Sequence, residues 1–266
     1  MFRAGRYDGS SFMELLHAEA PHLLPKIDLA GEAFTELMKQ VPHGTTVVAL
    51  RYADGAIIAG DRMATEGHQV AMRNIEKVYK TDEHSAMAIA GAAGPCIEMA
   101  RLFRIELEHY EKIEGATLEL EGKANKLAQM IRQNLPMAMQ GLVVVPIFVG
   151  YDLKRNAGRI FKYDVTGGRY EEIDYYAVGS GGKDARGSLK KTYRSQATAD
   201  EGLAMVMEAL FDAADEDRGT GGVDTLRGIY PTIKTANKDG IADIPESRMK
   251  ALYEEIVRTR KGGGVA

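Results

Sequence analysis

Three residues carry the chemistry this sequence offers: Thr45, Asp61 and Lys77, spaced sixteen residues apart. Thr45 follows Gly44 and opens the apolar run Thr45-Thr46-Val47-Val48-Ala49-Leu50, Asp61 stands in Gly60-Asp61-Arg62, and Lys77 starts a further strand pattern. A hydroxyl is a weak nucleophile until a base takes its proton. If the Gly44–Thr45 bond is cut, Thr45 gains an α-amine with an ordinary pKa of about 7.7–8.0, suited to general-base work at neutral pH. Thr45 Oγ can make that cut itself, by attacking the Gly44 carbonyl, shifting the acyl group from nitrogen to oxygen and leaving an ester for water to hydrolyse. A lysine nearby would keep the amine unprotonated and stabilise an alkoxide, and a carboxylate would hold the lysine in place. Plainer readings stand beside these. Threonines often open β-branched strands, and Asp–Lys pairs are often weak surface salt bridges.

Two glycine-rich turns offer supporting groups. In Val178-Gly179-Ser180-Gly181-Gly182 a strand runs into a helix, and the Ser180 hydroxyl could order a water near the amine. The turn lacks P-loop or full GxGxxG spacing, so a phosphate cradle is a weak reading. Ser180 and Lys183 make a formal S-x-x-K without its Lys-Thr-Gly partner. In Ile89-Ala90-Gly91-Ala92-Ala93-Gly94 the Gly91 N–H could stabilise an oxyanion, or the small residues merely allow a tight connection. The six histidines form no metal-binding pair, so no metal site and no cofactor are expected.

The elements that must position these groups begin at Gly44. Thr45–Tyr52 and Ala56–Asp61 flank the hairpin turn Ala53-Asp54-Gly55. Lys77–Thr81 and Ser85–Gly91 form a second hairpin. Helical patterns cover Ala93–Ile113 and Gly122–Met139. Strands are predicted at Val143–Tyr151, Gly158–Asp164 and Arg169–Val178, with a turn at Thr166-Gly167-Gly168. Helices follow at Gly182–Tyr193 and Ala199–Asp215, then strands at Leu226–Thr235 and Gly240–Ile244, and a helix over Pro245–Arg260. Paired hairpins imply antiparallel sheets, and two helix pairs must cover them. This gives an α+β fold, two stacked sheets between helix layers. Residues 1–44 differ, with helical patterns at Ser11–Ala20 and Asp28–Gln40. They end at the exposed junction Val41-Pro42-His43-Gly44, where a chain can be cut.

Composition excludes other classes. At 266 residues, 45% apolar and 27% charged, the chain is ordinary for a globular protein. A net charge of −4 without charge runs disfavours nucleic acid. No apolar run reaches a membrane span, and no secretory signal is expected. The single cysteine, Cys96, fits a reducing cytoplasm and a small buried role.

Taken together, Gly44-Thr45-Thr46, Gly60-Asp61-Arg62, Lys77, Gly91, Gly179-Ser180-Gly181 and Asp217…Gly221-Gly222 resemble a 20S proteasome β-subunit of the actinobacterial type. Leu107–Lys112 and Pro245-Glu246-Ser247-Arg248 resemble the bacterial branch. The resemblance implies a four-layer αββα sandwich of the N-terminal nucleophile hydrolase class, residues 1–44 being a self-removed propeptide and 45–266 the catalytic domain. It implies a cytoplasmic threonine endopeptidase with Thr45 as nucleophile, Asp61 and Lys77 as its activating pair, and Gly91 as oxyanion donor. Ser180, Asp217 and Thr220 would support the amine, Thr220 standing where the family usually has serine. Thr65 would pair with substrate backbone, with Gly91 and Ala93 extending that edge. Ala64, Ile75, Tyr79, Ile89, Ala93 and Ile97 would line a specificity pocket without charge, favouring apolar residues before the scissile bond. Implied partners are other β-subunits in seven-membered rings, capping α-subunit rings within a 28-subunit core, an ATP-driven unfolding ring and a small ubiquitin-like tag.

Other readings are a catalytically silent structural β-subunit, the simpler ATP-dependent bacterial protease with a Thr-Thr start, and a nucleotide-binding enzyme using Gly179–Gly182. The intact nucleophile, carboxylate and lysine argue against the silent subunit, and the long leader against the simpler protease. In an uncut chain, Thr45 Oγ is expected near the Gly44 carbonyl.

Overall fold

The computed structural model describes residues 11–23, 44–66 and 69–262; the helix expected over Asp28–Gln40 lies outside them. Strands β1 (Thr46–Tyr52) and β2 (Gly55–Gly60) form the expected hairpin. They join β10 (Tyr175–Gly179), β11 (Thr232–Asn237) and β12 (Gly240–Asp243) in a sheet ordered β10-β1-β2-β11-β12. The second sheet is ordered β5-β6-β7-β8-β9, from β5 (Val78–Lys80), β6 (Ser85–Gly91), β7 (Val144–Asp152), β8 (Ala157–Tyr163) and β9 (Arg169–Glu172). Strand pairings among the described residues are antiparallel.

Alternation along β1 shows why the sheets stack. Val47 and Ala49 turn toward the second sheet and meet Ala86, Ala88, Ala90, Ile147, Val149 and Ile160. Many of these are alanines, so the two backbones come close. Val48 and Leu50 turn the other way, onto α5 (Gly182–Thr192) and α6 (Ala199–Glu216). Thr198 and Glu201 start α6 with a reciprocal capping box. On the far face of the second sheet, Phe148 and Phe161 pack under α2 (Ala93–Glu114) and α3 (Leu120–Gln133). Phe103 meets Phe148 edge-on at 5.6 Å. Four layers, helix–sheet–sheet–helix, result. The final helix, α7 (Glu246–Gly262), lies on α6. The N-terminal α1 (Phe12–Glu19), capped by Ser11, lies on α2 with Phe12 against His109.

The sequence expectation differs at four places. The helix expected over Gly122–Met139 breaks at Asn134, because Pro136 cannot continue the ladder, and resumes as the short α4 (Leu135–Ala138). The strand expected over Arg169–Val178 is two strands in different sheets, β9 and β10. The chain crosses over at Ile173–Asp174, whose carbonyls accept hydrogen bonds from Arg51. The strand expected from Leu226 starts only at Thr232. Asp224 first turns the chain by accepting from Arg227 and bridging to Ile229. A small hairpin, β3 (Ala64–Glu66) with β4 (Gln69–Met72), was not foreseen.

Candidate active site

Strand ends from both sheets meet at one mouth of the sandwich. Thr45 immediately precedes β1, Asp61 follows β2, Lys77 precedes β5, Gly91 ends β6 and Ser180 follows β10. Placing these residues at strand termini leaves their polar groups unclaimed by the ladders while the strands fix their backbones.

Asp61 is 1% exposed and accepts four N–H donors. Oδ1 takes Thr46 N at 2.8 Å and Lys77 Nζ at 2.7 Å; Oδ2 takes Met63 N at 3.0 Å and Gly221 N at 2.9 Å. A carboxylate held this way is an anchor for charge. Lys77 Nζ donates to Asp61, to the Met63 carbonyl and, at 3.0 Å, to the Gly44 carbonyl. The weak surface salt bridge is therefore overturned, since both partners are buried. Burial lowers the Lys77 pKa from its ordinary value, against the opposing pull of Asp61.

The Gly44–Thr45 peptide is intact, and Thr45 Oγ1 donates to the Gly44 carbonyl oxygen at 2.6 Å. Gly44 has φ +87, and a Cβ there would stand 2.5 Å from Thr65 Oγ1 and 2.7 Å from the Gly219 carbonyl. Thr65 thus borders the Gly44–Thr45 peptide.

On the other side of Thr45, Ser180 N donates to the Thr45 carbonyl at 2.9 Å. Ser180 Oγ and Thr220 Oγ1 both donate to Asp217 Oδ2, at 2.5 and 2.6 Å. Burial would raise the Asp217 pKa, but these bonds and the Gly219 N–H outweigh it and hold the carboxyl below its usual range. Ser180, Asp217 and Thr220 are therefore one hydrogen-bonded cluster.

Ala92 N donates to Val143 O across β7. Gly91 and Val144 are consequently a non-hydrogen-bonded pair. The Gly91 N–H points to the opposite edge, beyond the start of β5, into the crevice that Gly91 lines with Gly44 and Thr45.

That crevice is walled by Ala64, Ile75, Tyr79, Ile89, Ala93 and Ile97, the six residues that the resemblance groups around one pocket. It is not free of charge, however: Glu76 and Lys77 also line it, beside the neutral Cys96 thiol. Glu76 was missed because a carboxylate next to Lys77 reads as surface. Its Oε1 is turned to the Lys77 and Val78 N–H groups and Oε2 to the Thr232 hydroxyl. Burial pushes the Cys96 thiol up to about 12, against Lys77. The Met63 carbonyl and Gly221 N–H were also unforeseen, because a backbone group has no residue-type signature. Among the described residues, no group of metal-ligating side chains is assembled.

A sequence model of the family described as "Proteasome subunit" matches residues 41–227, more than half of the chain. The chain belongs to the proteasome subunit family. A "Proteasome subunit beta" of Acidimicrobium ferrooxidans is 52% identical over 252 residues, covering 94% of this chain and 90% of that protein. One of Acidothermus cellulolyticus is 50% identical over 267 residues, covering 97% and 90%. As a proteasome subunit of this kind, the chain is a threonine endopeptidase component of a larger assembly, and its fold is the α+β sandwich of N-terminal nucleophile hydrolases. No described helix is long and apolar enough to cross a membrane.

Proposed function

We propose that Thr45 is the nucleophile of this proteasome subunit and that it frees itself by cutting the Gly44–Thr45 bond, releasing residues 1–44 from the catalytic domain 45–266. The observation that carries this reading is the double hold on one oxygen: Thr45 Oγ1 and Lys77 Nζ both donate to the Gly44 carbonyl. In the first step Oγ bonds to the Gly44 carbonyl carbon while the Lys77 ammonium faces the oxygen that gains charge. The C–N bond breaks, and the Thr45 nitrogen takes the proton that left Oγ. Water then hydrolyses the ester, giving a Gly44 carboxylate and a free Thr45 hydroxyl and amine.

In substrate hydrolysis the α-amine accepts the hydroxyl proton as Oγ attacks and returns it to the leaving amine as the peptide C–N bond breaks; water, deprotonated by the same amine, then cleaves the acyl ester and frees Oγ. Gly91 N–H is the oxyanion donor. Lys77, held by Asp61, keeps the amine unprotonated. Ser180, Asp217 and Thr220 position the amine and its water. Thr65, Gly91 and Ala93 pair with substrate backbone. The apolar wall of Ala64, Ile75, Tyr79, Ile89, Ala93 and Ile97, with the Glu76 carboxylate occupied by backbone donors, favours apolar residues before the scissile bond.

We further infer that the subunit works in a cytoplasmic 28-subunit core of seven-membered β rings and α-subunit rings. An ATP-driven unfolding ring would feed it proteins marked by a small ubiquitin-like tag. The test is intact mass of the assembled protein beside a Thr45→Ala variant. Loss of residues 1–44 from the wild type alone is expected. A full-length wild type that cleaves no peptide would establish a silent subunit instead.

A further inference from the structure

Two polar clusters flank Thr45: Asp61 with Lys77 on one side, Ser180 with Asp217 and Thr220 on the other. Thr46, fully buried, bonds to both. Its N–H donates to Asp61 Oδ1 at 2.8 Å, and its hydroxyl lies 2.6 Å from Thr220 Oγ1 and 3.0 Å from the Gly181 nitrogen.

The proton directions in this cluster are determined. The Thr220 hydroxyl spends its single proton on Asp217 Oδ2. It must therefore accept from Thr46. The Thr46 hydroxyl, its own proton spent, accepts from Gly181 N–H. The bonds run in one direction: Gly181 N–H to Thr46, Thr46 to Thr220, Thr220 to the Asp217 carboxylate. Gly181 is the N-cap of α5, where the helix presents partial positive charge. In a dry interior each bond polarises the next. Gly181 is also required for space, because a Cβ there would stand 2.6 Å from both Thr46 Oγ1 and Thr220 Oγ1.

We propose that Thr46 is a positioning residue. It locks the two clusters together through its N–H and its hydroxyl, and passes the field of the α5 N-terminus through Thr220 to Asp217. The proposal rests on the reading of Thr45 as nucleophile. Asp217 also faces the Lys77 ammonium, the Ser180 hydroxyl and the Gly219 N–H. Lys183 and Asp184 open α5, while Asp215, Glu216 and Arg218, its sequence neighbours, are exposed.

Thr46→Val keeps the shape and the N–H bond to Asp61 but deletes the hydroxyl. The experiment measures kcat and KM of assembled, processed particles against pH, using a peptide with leucine before the scissile bond. The expected result is a fall in kcat on the order of tenfold, as for one lost hydrogen bond, with KM within about twofold. The acid limb, set by the Thr45 α-amine, should move to higher pH, because a carboxylate whose Thr220 donor is less polarised keeps more charge to favour the protonated amine. Thr46→Ser should restore both rate and profile. Gly181→Ala, at a φ of −86 that any residue adopts, should part the two hydroxyls and reproduce the Val phenotype. That variant decides the matter if Thr46→Val does not assemble. A Thr46→Val enzyme with wild-type kcat and acid limb overturns the proposal, as does a kcat loss that Ser fails to restore. A wild type inert toward peptide would instead overturn the nucleophile reading itself.

Discussion

The Lys77 ammonium stands 2.7 Å from the Asp61 carboxylate, and both groups are shut away from solvent. An exposed pair would contribute about 0–1 kcal/mol. Here, removing one partner strands the other, at about 3–5 kcal/mol. In Asp61→Asn the amide NH2 must confront one of two donor pairs, Thr46 N with Lys77 Nζ or Met63 N with Gly221 N. The variant should unfold at lower temperature and lose peptide hydrolysis. Lys77→Arg should not rescue activity, since a planar fork cannot serve three acceptors arranged around a point charge. Calorimetry and peptide turnover check this; a Lys77→Arg enzyme at wild-type rate would contradict it.

Gly44 should resist substitution. Alanine there must adopt φ +87, costing about 1–2 kcal/mol, and its Cβ would meet Thr65 Oγ1 and the Gly219 carbonyl. Relief would swing the carbonyl away from Lys77. Gly44→Ala is expected to keep residues 1–44 attached, read by intact mass; prompt processing of this variant would show that the local backbone is more yielding than the contacts imply.

Cleavage preference follows from the crevice walls. Peptides with leucine before the scissile bond should be cut faster than those with arginine. Ala93→Leu, which fills the crevice from the start of α2, should reduce cleavage after large residues more than after alanine. A peptide panel measures both. Faster cleavage after arginine would mean that the Glu76 carboxylate leaves its backbone donors to meet substrate.

Two titrations carry opposite expectations. Cys96 lines the crevice, yet its thiol is pushed up to about 12 and it is 6% exposed. Thiol alkylation near neutral pH should be slow in the folded protein and fast in denaturant. For Asp217 the folded pKa lies below its ordinary 3.8. Its contribution to stability is therefore full above that value and lost as pH falls through the depressed one. The stability gap between wild type and Asp217→Asn should be constant at neutral pH and close in strong acid. A gap that closes near pH 6 would place the carboxyl in a different setting.

The meeting of Thr45, Asp61 and Lys77 was legible because spacing and hairpin turns put them at strand ends. The glycine turn before α5 likewise announced Ser180. The β9–β10 crossover was not legible. Ile173-Asp174 carries no glycine or proline, and the break is imposed by Arg51 on a neighbouring strand. Thr46 was hidden for a related reason. A second threonine in a β-branched run looks like strand filler, and only the approach of Gly181 and Thr220, far away in sequence, gives its hydroxyl partners.

Lys77 spends its three N–H bonds on Asp61, Met63 and Gly44, and only the last partner precedes Thr45. On the proposed cleavage, the uncut chain is a stopper seated in its own lock. Withdrawing it would leave one ammonium hydrogen unengaged at the bottom of the keyway. Whatever carbonyl arrives next would then meet a contact already rehearsed.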